Sequence, residues 1–269
     1  MIWKAKDRIF EGTGVIMGVL NVTPDSFSDG GTHNGYEDAL AFAEEMLAQG
    51  ADIIDVGGES TRPGSAAPSI QEELDRVLPV VCELVARGVC VSVDTRHWEV
   101  AQACVKAGVH IINDVSGFRD PKMREVAAAS DCGLVVMHML GEPGTMQNDP
   151  HYDDVVTEVR DYLIAQAQLL EGMGVAPERI CIDPGPGFGK TFEHNQALIS
   201  ATAELAGCGY PLMVAVSRKS YIGTAAGIAV PAQRDEDSAL CAAAAMHHGA
   251  LVARVHDVAT SKRMFEQSK

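Results

Sequence analysis

Eight short apolar runs along the chain each end in side chains able to do chemistry: Asn21, Gly57-Gly58-Glu59, Asp94, Asn113-Asp114, His138, Asp183, Ser217-Arg218-Lys219 and Arg254-Val255-His256. Asp94, Asn113 and Asp183 offer carboxylate and amide acceptors, Arg62, Lys219 and Arg254 offer cations, and His256 adds an imidazole. That set suits a small ligand with a polar heterocycle at one end and an anionic tail at the other. A buried carboxylate can accept two ring donors at once, and Arg and Lys hold clustered negative charge. A lone Asn or Asp at the end of a strand is most simply a satisfied polar group. Eight of eight runs closing this way point to one shared site.

The elements that must position these residues can be read from the same runs. Gly14 to Leu20 is continuously apolar, as a strand buried on both faces should be. From Tyr36 to Gln49, Leu40, Ala43, Met46 and Leu47 recur at helical spacing, and Gly50 follows where a helix terminates. Strand-like runs return at 53–56, 90–93, 110–112, 134–137, 180–182, 212–216 and 251–253. Amphipathic segments lie between them, the clearest at 153–172, where Val155, Val159, Tyr162, Leu163, Leu169 and Leu170 are assigned to one face. Eight alternating units in about 250 residues predict a (β/α)8 TIM barrel of class α/β, with an open doubly wound sheet as the alternative. No linker interrupts the pattern, so 1–269 reads as a single domain, with a short N-terminal segment, 1–13, as a candidate hairpin before the first barrel strand. In such a barrel the carboxyl ends of the strands carry the chemistry, which is where the polar residues fall.

Composition bounds the class of protein. Of the residues, 46% are hydrophobic and 5% aromatic, enough for a large aliphatic core. A net charge of -16 argues against nucleic acid as a partner, because that affinity comes from cations on phosphates. No stretch approaches the roughly 18 apolar residues of a membrane span, and the N-terminus lacks a signal peptide pattern. Seven cysteines without a C-x-x-C pair fit neither a disulfide framework nor a zinc site. The expectation is a cytoplasmic protein with reduced, mostly buried thiols, touching neither membrane nor nucleic acid.

The loop Asn21-Val22-Thr23-Pro24-Asp25-Ser26-Phe27-Ser28-Asp29-Gly30-Gly31 and the loop Gly57-Gly58-Glu59-Ser60-Thr61-Arg62-Pro63-Gly64 resemble the two long loops of dihydropteroate synthases. Val93-Asp94-Thr95, Asn113 to Gly117, Met137-His138-Met139, Asp183 to Lys190, Ser217 to Ser220 and Arg254 to Val258 continue the likeness in order, so that it covers 14–258. The family usually has Gly where this chain has Ala215. The resemblance implies a transferase of folate biosynthesis that moves a dihydropterin methylene group from its diphosphate to the amine of p-aminobenzoate. It further implies a dissociative substitution with Mg2+, a homodimer, and sulfonamides as competitive analogues. Corrinoid-type pterin methyltransferases and a non-catalytic pterin-binding protein are the alternatives. The first would not combine the 60–63 loop with Ser217-Arg218-Lys219, and the second would bind pterin without releasing pyrophosphate.

By the same resemblance, Asp94, Asn113, Met137, Asp183, Phe188 and Lys219 hold the pterin, while Asn21, Arg254 and His256 take the diphosphate. Asn21 also orients the metal. Phe27, Thr61, Arg62, Pro63, Phe188, Ser217 and Lys219 surround p-aminobenzoate, with the helix beginning at Ser220 near its carboxylate. Asp94, Lys219, Arg254 and His256 are the catalytic group, and the two long loops are lid candidates. Gly189-Lys190-Thr191 nearly completes a phosphate-binding loop, but Pro184 stands where its first glycine belongs. A Schiff-base role for Lys219 lacks a carbonyl-activating partner. His247 and His248, being adjacent on a helix, point in different directions and read as packing or surface groups.

Overall fold

The computed structural model describes residues 1–23, 32–59, 68–142 and 144–267. The chain opens with an antiparallel hairpin, β1 (Ile2–Ala5) and β2 (Arg8–Glu11), with Trp3 opposite Phe10. Eight further strands follow: β3 (Val15–Asn21), β4 (Ile53–Gly57), β5 (Val91–Asp94), β6 (Ile111–Asp114), β7 (Gly133–Met137), β8 (Ile180–Asp183), β9 (Met213–Val214) and β10 (Val252–Val255). Interleaved or trailing are α1 (Thr32–Ala48), α2 (Ile70–Ala86), α3 (Trp98–Ala107), α4 (Pro121–Ala129), α5 (Val155–Gly172), α6 (Phe192–Ser200), α7 (Thr202–Ala206), α8 (Ser220–Ala226), α9 (Asp235–His247) and α10 (Val258–Gln267).

All neighbouring pairs among the eight are parallel, in the order β8-β7-β6-β5-β4-β3-β10-β9, and a parallel bridge from Ile182 to Leu212 brings the two edges together. The expected (β/α)8 barrel is therefore the observed fold. Alternation along each strand divides two cores. Ile54, Val56, Val91 and Val93 face outward into the helical layer, whereas Ile53, Cys90, Ile111, Val135, Cys181 and Met213 fill the interior with Trp3 from the hairpin. Trp3 is fully buried and its indole N–H donates to the Arg179 carbonyl at 3.0 Å, so the hairpin stoppers the amino-terminal end.

The helix signals hold where caps and periodicity agree. Asp154 caps α5 by accepting from the Val156 and Thr157 amides, and Gly50 adopts a φ of +99° just beyond α1. On α5, Val155, Val159, Leu163 and Leu170 are buried as expected, but Leu169 faces solvent, one residue off the stripe. The run at 212–216 yields only a two-residue strand. Beyond Val214 the ladder with β10 gives way to the Ser217 hydroxyl, which accepts the His256 amide at 3.1 Å. All seven cysteines are free, four of them buried, and among the described residues no helix is long and apolar enough to cross a membrane.

Candidate active site

Register places the polar strand ends side by side. Asn21 pairs with Gly57, Gly57 with Asp94, and Asp94 with Asn113, and on the far side Met137 pairs with Asp183. Gly57 matters for what it lacks. A Cβ there would meet Asp94 Oδ2 at 3.6 Å and Asn21 Oδ1 at 3.8 Å, so its absence keeps open the space these two oxygens share. Val115, Met137, Met139, Met146 and Phe188 form a small apolar cluster above the ring, uniting the two apolar residues assigned to the pterin.

Arg254 is the hub. Its Nε donates to Asp55 Oδ2 at 2.6 Å and its Nη2 to Asp94 Oδ2 at 2.6 Å. Burial works against its charge, but Asp55 and Asp94 more than offset this and raise its pKa. Burial likewise drives the Asp94 carboxyl up to about 7, with the nearby carboxylates adding to the effect and Arg254 opposing it. Asp183, 1% exposed, is also raised by burial, against the pull of the Gly185 amide, which donates to its Oδ1 at 2.8 Å, and of Lys219 and Arg254. Gly185 sits at φ +62°, with His138 O only 2.0 Å from where a Cβ would be, so the loop after β8 demands glycine there.

Lys219 lies with its ammonium 3.9 Å from the centre of the Phe188 ring. Burial and then Arg254 lower its pKa to about 8, against Asp183 and Asp94. The turn that aims it is strained. Arg218 has a φ of +60°, and it is held there by a bidentate pair to Asp235 at 2.6 and 2.8 Å and by its amide donating to Ser238 Oγ at 3.0 Å. Ser217 and His256 are joined, Nδ1 to Oγ, at 3.0 Å. Asn21, Asp94, Asn113, Met137, Asp183, Phe188, Ser217, Lys219, Arg254 and His256 thus all occupy the carboxyl end of the barrel or the loops leaving it. Phe27, Thr61, Arg62 and Pro63, and most of both lid-candidate loops, lie outside the described residues.

Three features were not foreseen. Asp55, inside the run Ile53-Ile54-Asp55-Val56, is fully buried between Arg254 and Asn113, whose Nδ2 donates to its Oδ2 at 3.2 Å. A charge in the middle of an apolar run was the available signal. Lys190, 3% exposed, bonds His138 Nδ1 at 3.0 Å, the Phe188 carbonyl at 3.0 Å and the His138 carbonyl at 3.3 Å. Burial lowers it to about 7 and lowers His138 to about 3, so the lysine ties two loops together rather than facing a nucleotide. Glu59, Glu73 and His97 gather closely enough to hold a metal. However, Glu59 is held bidentately by Arg96 at 2.9 Å, and Glu73 binds Thr95 at 2.6 Å and His97 at 2.5 Å, so the group satisfies itself.

Residues 17–256 match the family described as pterin binding enzymes. The dihydropteroate synthase of Escherichia coli K12 is 49% identical over 244 residues, which are 90% of this chain and 86% of that one. The Xanthomonas albilineans dihydropteroate synthase structure with 4-aminobenzoic acid superposes with a TM-score of 0.93 at 41% identity, covering 99% of this chain and 96% of that one. The Burkholderia cenocepacia dihydropteroate synthase complexed with 7,8-dihydropteroate gives 0.90 at 42% identity, covering 99% and 95%. With likeness of this depth over a span that includes every strand of the barrel but the leading edge of the first and the opening hairpin, the chain belongs to the dihydropteroate synthase family of pterin-binding enzymes.

Proposed function

We propose that the chain is a transferase that joins the methylene carbon of a dihydropterin diphosphate to the amine of p-aminobenzoate, forming dihydropteroate and pyrophosphate in folate biosynthesis. The observation that carries this reading is the ring of acceptors, buried Asn113 and Asp183 with half-buried Asp94, set beside the cations Lys219 and Arg254 in a chain with such relatives. Asp183 and Asn113 are deep enough to accept from the ring edge of a pterin, with Met137 and Phe188 supplying apolar contact. Arg254, His256 and Asn21 take the diphosphate. Ser217, Lys219 and Phe188, with the Phe27 and Thr61-Arg62-Pro63 segments, surround p-aminobenzoate.

The C–O bond to the diphosphate breaks first, its electron pair leaving with the phosphate oxygen, and the resulting cation is delocalised over the pterin. The amine lone pair then forms the C–N bond and the nitrogen sheds a proton. Ionised Asp94 stabilises the cation and Arg254 the departing charge, both fixed before the reaction begins. Asn21, whose Oδ1 borders the space left beside Gly57, would hold Mg2+ there, an oxygen donor being what that ion prefers. When bound, it neutralises charge on the leaving diphosphate.

The chain acts as one barrel domain. A homodimer is consistent with exposed Leu240 on α9, and sedimentation at micromolar concentration checks it. Free thiols support a cytoplasmic setting. The deciding experiment measures pyrophosphate release with Mg2+ and dihydropterin diphosphate, with and without p-aminobenzoate, in the wild type and Lys219→Ala. Release that requires p-aminobenzoate and falls by about 10²-fold or more in the variant is expected. Pterin binding without release would instead leave a binding protein.

A further inference from the structure

Asp55 occupies the middle of β4, in register with Val19 on one side and Ser92 on the other. Its carboxylate is fully buried, yet only Oδ2 is engaged, by Arg254 Nε at 2.6 Å and Asn113 Nδ2 at 3.2 Å. Among the described residues, Oδ1 has no hydrogen-bond partner, and neither does the buried Ser92 hydroxyl beside it in register. A buried oxygen left unpaired lowers stability, and apolar residues often replace buried ion pairs without loss. The interior just below is made that way, from Ile53, Cys90 and Ile111. A charge kept at this level therefore needs a reason other than holding the barrel together.

Resting on the function proposed above, we propose that Asp55 is a positioning residue for that reaction, whose single buried oxygen fixes the Arg254 guanidinium and the Asn113 amide together. Each consequence is geometric. With Nε on Asp55 from β4 and Nη2 on Asp94 from β5, the plane of Arg254 is set from two strands, and Nη1 is the end left for an anionic substrate group. With Nδ2 of Asn113 committed to Asp55, its Oδ1 is the free end, so the amide presents an acceptor to the donors of a pterin ring. One carboxylate thus orders a contact to each end of the same substrate.

Charge gives a readout that packing alone would not move. Asp94 is faced by Arg254 from β10, Asp55 from β4, Glu73 from α2, Asp114 from β6 and Lys219 at the start of α8. The Asp55 charge disfavours ionisation of Asp94 and also competes for Arg254. Asp55→Asn removes the charge at constant shape, so Asp94 should ionise more readily. Asp55→Glu keeps the charge but displaces it by one methylene. Ser92→Ala disturbs the same level without touching Arg254 or Asn113.

The test is pyrophosphate release with Mg2+, dihydropterin diphosphate and p-aminobenzoate from pH 5 to 9, on the wild type and these three variants, beside their melting temperatures. Asp55→Asn is expected to lower kcat on the order of 10-fold to 10²-fold and to move the acid limb of kcat/KM down by about half a unit or more. Asp55→Glu should lower kcat with its acid limb unmoved, and Ser92→Ala should leave both near wild type. Loss in Asp55→Asn that only tracks its melting temperature, with the limb unmoved, would overturn the proposal. If that variant does not fold, Asp55→Glu decides: wild-type kcat overturns the proposal and a drop at unchanged melting temperature supports it. Lack of turnover in the wild type would be a failure of the proposed function, seen before any variant is compared.

Discussion

Asp94, proposed above to stabilise the cation, illustrates what such a placement costs the fold. Its folded-state pKa of about 7 lies above the ordinary 3.8, so between those values the folded chain binds a proton that the unfolded chain has released. Its contribution to stability therefore declines as pH rises across that window. Asp94→Asn should flatten the decline and raise the melting temperature at pH 8 relative to the wild type, while lowering turnover on the order of 10²–10³-fold. Thermal unfolding at pH 5 and pH 8 beside the release assay checks both, and an unchanged slope would move the effect to Asp183 or Asp114. At the alkaline end, Lys219 sits near 8, so kcat/KM should fall above that pH, and Lys219→Arg should carry the falling limb upward. Most of these residues were legible because each ends an apolar run, so its type stands out against what precedes it. Asp55 and Lys190 were not. Asp55 hides within Ile53-Ile54-Asp55-Val56, where alternation alone does not say which face carries the charge. Lys190 sits in a near-miss of a phosphate-binding loop, a pattern that says nothing of its buried contacts to His138 and Phe188.

At the level of elements, the turn between β9 and α8 joins strain to function. Arg218 in the left-handed region sends its own side chain to Asp235 while its neighbours Ser217 and Lys219 turn to the site. Asp235 touches none of the proposed catalytic groups, yet Asp235→Ala should lower kcat on the order of 10-fold by releasing Lys219 from its place over Phe188. Steady-state kinetics with a melting curve test this, and a fall in stability with unchanged kcat would make the clamp purely structural. The strands were predictable to within a residue or two because parallel strands covered by helices are apolar on both faces. The exception is 212–216, where the ladder with β10 stops at Val214 and the chain is next tied to that side by the Ser217 hydroxyl, a side-chain bond that no hydrophobic pattern records.

For the molecule as a whole, alternation and length pointed to a barrel without excluding an open sheet, because closure depends on one edge meeting the other. Here that meeting is a single bridge, Ile182 to Leu212, a contact invisible to periodicity. The hairpin beneath was read only as a candidate, and its packing role came from Trp3, whose burial among the interior residues is a tertiary fact. Trp3→Ala should cost about 3–5 kcal/mol of stability while leaving KM for both substrates unchanged, since the stopper is at the end opposite the site. Urea unfolding and steady-state kinetics distinguish this from a hairpin that reaches the chemistry.

The stopper also sets a schedule for the growing chain. Trp3 docks on Arg179, 176 residues later, and packs among Leu251 and Val252 near the far end. At ~5–20 residues synthesised per second, the hairpin waits about 9–35 s for the first of these partners. For that interval the indole has the Phe10 ring across the hairpin as a native contact, but it lacks its bond to Arg179 and its late packing partners. A nascent chain therefore offers chaperones a partly covered aromatic handle in this hairpin, one that disappears only when the barrel above it is nearly complete.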